Sequence, residues 1–77
     1  MEYPLWKLLR KDVIERLAIK KGKHKYEISM GFDTRKDARS YLQHHKRKGM
    51  RGFIRKIPQE LAWQFTKIKW VVYENWD

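Results

Sequence analysis

The sequence predicts an α+β fold: a small antiparallel sheet, ββαββ-like in order, packed against one principal helix. Three observations carry that expectation. A capped amphipathic segment runs over 34–49, apolar alternation precedes it, and two further apolar stretches lie beyond it on either side of Pro58.

Near the start of the chain, Leu5, Trp6, Leu9, Val13 and Leu17 share one helical arc, and Pro4 suits a first helical position. The end of the same region, VIERLAIK, is also readable as a strand that pairs, through a turn at KGKH, with KYEISMGF. A possible short N-terminal helix before a hairpin and a longer strand both stay open. In KYEISMGF, Tyr26, Ile28, Met30 and Phe32 alternate with Lys25, Glu27 and Ser29, which predicts a half-buried strand with the four apolar residues on one face.

The principal helix is bounded by its own chemistry. Thr34 with Asp37 three residues on is a capping-box pattern, and Gly49 offers a left-handed stop. Ala38, Tyr41, Leu42 and His45 form its core stripe. At about 100° per residue from Ala38, Arg35, Arg39 and Lys46 fall on one flank and Lys36 and Arg47 point outward. Beyond it, MRGFIRKI predicts a strand ended by Pro58, PQELAWQF a short helical turn, and TKIKWVVYE a last strand. Its alternation would put Ile68, Trp70 and Val72 inward, and Lys67, Lys69, Val71 and Tyr73 outward.

Seventy-seven residues are one domain's worth of chain, a single small basic domain. There is no cysteine, so disulfides and thiolate metal sites are excluded, and the core must come from ordinary burial. Eleven aromatic side chains supply it. No apolar run is long enough to span a bilayer, and the start lacks a signal-peptide pattern, so the chain reads as soluble and cytoplasmic.

Catalysis is not expected. Two serines and two threonines have no histidine–acid grouping around them, the carboxylates are scattered, and no phosphate-cradling glycine spacing occurs. His44 and His45 are adjacent, so on a helix they diverge by about 100° and cannot chelate one metal. No metal or cofactor is expected.

The charge is the informative feature. Net charge is +10, and residues 34–56 hold nine Lys/Arg against Asp37 alone. Like charges packed together repel, so such clustering asks for an anionic partner. The expected nucleic-acid-binding residues are Arg35, Lys36, Arg39, Lys46, Arg47, Lys48, Arg51 and Arg55, with Lys20, Lys23 and Lys25 at the hairpin as a second clamp. Tyr73 and Trp76, interleaved with base near the C-terminus, are candidates for stacking on bases.

The run Lys21–Gln43 resembles the hairpin–helix of two DNA-binding families, the arm-binding domains of phage-type tyrosine integrases and the plant ethylene-response-factor domain. The matching residues are Phe32-Asp33-Thr34, Asp37-Ala38 and Tyr41. The resemblance implies DNA binding through the sheet face opposite the helix, which would bring Arg16, Lys20, Lys23 and Lys25 to the groove. Those families have three strands before the helix where two are expected here, and in this chain the charge is richest on the helix.

Two functions fit the same patch: a nucleic-acid-binding module, for DNA or RNA, or a virus- or plasmid-type accessory protein that grips an acidic surface of a larger host complex. Trp, Tyr and Arg in excess suit the second. Attachment to a membrane is not expected, because the basic face lacks an insertable apolar edge.

Overall fold

The computed structural model describes residues 2–76 and bears out the α+β class. Its centre is β3, His24–Phe32. One edge of β3 is shared by two short strands: β1, Glu2–Pro4, pairs with its C-terminal end, and β2, Ile19–Lys21, with its N-terminal end. The other edge pairs with β5, Trp70–Asn75, which in turn pairs with β4, Arg51–Lys56. All pairings are antiparallel and the main order is β1-β3-β5-β4. The helices are α1 (Leu5–Leu8), α2 (Lys11–Leu17), α3 (Arg35–Lys46) and α4 (Gln59–Ala62).

The N-terminal region thus holds both open alternatives in sequence. It is helical as far as Leu17, turns extended at Ala18, and pairs as a strand only over Ile19–Lys21. Gly22, at φ 61°, makes the hairpin turn. Pro4 ends β1 and precedes α1; its missing N–H suits an edge strand.

The alternation expected for β3 is interrupted. Ile28 lies opposite Tyr73 and Met30 opposite Val72, so the register slips by one residue around Ser29. Such a bulge moves the residues after it to the other face. Tyr26 and Ile28 therefore belong to one core and Met30 and Phe32 to another. The first packs Ile28, Val71 and Tyr73 with Leu5, Leu61 and Ile68. The second packs Met30, Phe32 and Val72 under Ala38 of α3. The sheet is covered on both sides: α3 on one, and α1, α2 and α4 with the loop before β5 on the other.

Two expectations are corrected by this second cover. Residues 67–69 precede β5 rather than forming part of it. Val71 and Tyr73, expected on the open face, are core residues. Tyr73 is 3% exposed, with its ring stacked on Phe53 at 5.3 Å, so no base can stack on it.

The helix that opens the basic run is fixed at both ends. Thr34 Oγ1 accepts from the Asp37 amide at 3.2 Å. At the other end the Met50 amide donates to the His45 carbonyl and the Gly49 amide to that of Lys46, with Gly49 at φ 101°. That pair of bonds is the Schellman stop.

Candidate nucleic-acid interface

Along α3, the core stripe presses Ala38, Tyr41 and Leu42 onto the sheet, which forces the remaining faces outward. Arg35, Lys36, Arg39, Lys46 and Arg47 are all exposed, and Lys48 comes next in the turn. Leu42 lies toward Gly52 of β4, so the flank of Arg35, Arg39 and Lys46 overhangs that edge strand. From Arg35 to Lys46 the flank is about 16 Å long, a length of duplex that carries roughly ten phosphates.

Some bases elsewhere are paired with carboxylates and these are not. Arg10 is paired with Asp12, Arg16 with Glu60 at 2.8 Å, and Lys25 with Glu15. Among the described residues, none of the α3 bases named above forms an ion pair. Arg35 instead lies over the Trp70 ring at 5.6 Å. Next to that ring, Lys56 and Lys69 line a small groove of about 300 Å³. Lys56 and Lys69 were not among the expected site residues, because their strand context hid that they would meet the helix start.

The expected patch does not stay whole. In β4, Arg51 and Arg55 share the face of Phe53, opposite Asn75 and Val71, while α3 covers the face of Ile54 and Val72. Arg55 therefore points away from α3, with its guanidinium 5.4 Å from the Phe53 ring. There it meets the hairpin: Lys21 Nζ stands 4.0 Å over the same ring. Lys21 escaped notice because alternation places it with Ile19, on the side expected to be core. Lys20 and Lys23 are exposed beside it.

The face opposite α3, through which the resemblance implied docking, is largely occupied by α1, α2 and α4. Two of its four implied contacts, Arg16 and Lys25, are tied to carboxylates. Trp76 remains open, 54% exposed, with its indole N–H donating to Glu74 at 2.8 Å. It lies at the His45 end of α3, its ring 6.2 Å from that imidazole. His45 itself is half-buried, stacked on Tyr41 at 4.0 Å.

The far flank of α3 is anchored by Tyr41, whose hydroxyl donates to Glu74 Oε2 at 2.7 Å. Burial, reinforced by that carboxylate, raises the Tyr41 pKa well above 10.0, and burial also raises Tyr73. A tyrosine whose folded pKa is raised contributes stability below its unfolded pKa and loses it as pH rises toward the folded one. The melting temperature should therefore fall above about pH 10, and Tyr41→Phe should remove part of that fall. Ultraviolet titration should show tyrosinate forming later in the folded than in the denatured chain; coincident curves would contradict the assignment.

Among the described residues, no helix is long and apolar enough to cross a membrane. No family model, curated protein or solved structure matches this chain.

Proposed function

We propose that this chain is a nucleic-acid-binding module that holds the phosphate backbone against the exposed flank and outer face of α3. The supporting observation is a concentration of exposed base. Arg35, Lys36, Arg39, Lys46 and Arg47 stand together on a doubly capped helix and its C-terminal cap, outside any ion pair among the described residues, whereas Arg16 of α2 and Lys25 of β3 are paired with carboxylates. Uncompensated charge held this way costs self-repulsion, which a polyanion relieves. Arginine guanidinia fork onto phosphate oxygens, and a preformed helix spares the ordering cost that a disordered basic tail would incur.

Arg35 and Trp70, with Lys56 and Lys69, extend the contact to one end of the helix, and Trp76 offers a stacking ring at the other. The hairpin bases Lys20, Lys21 and Lys23, with Arg55, form a second site on the far side of the sheet, able to clamp a bent or wrapped strand. The activity is binding rather than catalysis, and a cytoplasmic location goes with this reading.

The test is fluorescence anisotropy against labelled duplex DNA, single-stranded DNA and RNA across a salt series. About five phosphate contacts give a log–log salt slope near −4.5 on duplex DNA. Binding confined to low salt and equal for all three probes would set the reading aside, in favour of an acidic protein surface as the partner.

A further inference from the structure

Three cations meet beside Trp70 from separate parts of the chain. Arg35 opens α3, Lys56 closes β4 and Lys69 immediately precedes β5. Strand pairing sets Lys56 opposite Trp70. The Lys69 backbone is pinned on both sides, its amide donating to the Phe32 carbonyl at 2.9 Å and its carbonyl accepting from the Ile57 amide at 3.1 Å. None of the three cations is in an ion pair among the described residues. Like charges held on neighbouring strands repel, and an anion placed among them relieves that cost.

The groove they border fits something smaller than a duplex. At about 300 Å³ it stands at the lower limit of small-molecule sites, which span roughly 300–1,000 Å³. Ile57, Ile68 and the half-buried Trp70 indole supply apolar surface, Lys56 and Lys69 supply charge, and Thr66 a hydroxyl. No carboxylate among the described residues lines it. The larger groove beside α1 and α2, about 700 Å³ between Trp6, Ile14, Glu27, Ile28 and Trp76, has no such surplus of one charge. There Asp12 and Glu15 are paired with Arg10 and Lys25, and Glu74 is taken up by Tyr41 and Trp76.

We propose that the groove beside Trp70 takes one unpaired nucleotide, at a strand end or at a junction between duplex and single strand. The proposal rests on the phosphate-binding reading of α3 and adds a structural preference to it. Arg35, 5.6 Å from the Trp70 ring, links the basic flank to the groove, so a strand laid along the flank passes the groove at the helix start. A base that has left its stack there has free faces to lay on indole and isoleucine, and its phosphate meets Lys56 and Lys69. A paired base has its faces covered by its neighbours and cannot enter. Apolar and aromatic surface beside cations is the combination that holds single-stranded bases in sequence-tolerant sites.

The test is anisotropy at physiological salt with a blunt duplex, the same duplex carrying a short unpaired tail, and a third whose tail lacks its bases. The tailed duplex should bind at least about fivefold more tightly than the blunt one, the scale of one stacked base. The salt slope should steepen by about 0.7 for the added single-strand phosphate. Lys56→Gln with Lys69→Gln, both at exposed positions, should reduce the tail's advantage to less than about twofold, whereas Arg39→Gln should weaken blunt and tailed duplexes by the same factor and keep it. Removing the bases from the tail should cost most of the gain. Blunt-duplex binding with no gain from the tail, or an equal gain from the baseless tail, would overturn this proposal alone. Failure of both duplexes to bind would overturn the α3 reading with it.

Discussion

Replacing Arg39 and Arg47 together with Glu is expected to abolish nucleic-acid binding while leaving the fold intact. Both wild-type side chains are exposed, Arg39 on the α3 flank over β4 and Arg47 at the C-terminal cap of α3. The double change removes two phosphate contacts and installs two repulsive charges, a swing of four charge units on one helix. Loss of two counterion-releasing contacts alone weakens binding by roughly 30-fold at physiological salt, and repulsion takes the total to about 10²-fold or more. The salt slope should shrink by at least about 2. Stability should barely move, since Glu is as good a helix former as Arg, and a carboxylate near the C-terminal end of α3 costs about 0.3–1 kcal/mol. Anisotropy gives the affinity and circular dichroism the fold. Undiminished binding by a folded double variant would move the interface off α3, toward Lys21 and Arg55.

Leu5→Ala should come close to unfolding the protein. Leu5 is fully buried at the start of α1, where its Cδ1 packs against Gly31 of β3 beside Ile68. Truncating a buried leucine costs about 2–5 kcal/mol. A chain of this size has roughly 4–12 kcal/mol in all. The site cannot refill easily, because Leu5 opens a single helical turn with little else holding α1 down. A fall in melting temperature of about 10 °C or more is expected, given roughly 4–8 °C per kcal/mol in small domains. A loss of only about 2 °C would mean that the N-terminal segment is dispensable to the core.

What could be read from the sequence was whatever is encoded locally. The cap at Thr34, the stop at Gly49 and the stripe of Ala38, Tyr41 and Leu42 are all within one helix and its ends, and α3 stands where they put it. Strand β1 was not visible: three residues ending in proline carry no periodicity, and only pairing with Met30–Phe32 makes them a strand. The bulge at Ser29 was also hidden, because Tyr26, Ile28, Met30 and Phe32 alternate cleanly in the sequence while their faces divide in space. One signal was there to be used. Trp70-Val71-Val72-Tyr73 is a continuous apolar run, the mark of a strand covered on both sides, and it argued against an open Tyr73.

The candidate site was legible in the same uneven way. The α3 bases were contiguous in sequence and remain contiguous in space. Arg51 and Arg55 continue that charge run, yet strand geometry turns them to the other side of the sheet. The groove lined by Trp6, Ile14, Glu27, Ile28 and Trp76 could not be anticipated at all, because those residues meet only through the fold.

The position of β5 bears on how the molecule is made. The last strand in sequence, residues 70–75, is interior to the sheet, between β3 and β4. As the chain emerges from a ribosome, β3 and α3 appear first and must wait for a neighbour that is still unwritten. At about 5–20 residues per second, the interval from Phe32 to Asn75 is on the order of 2–9 s. During it Met30 and Phe32 can shelter only under α3, and β4 has no partner. Premature termination anywhere before residue 70 would therefore yield a sheet without its middle, a product for proteases rather than a shortened but working module.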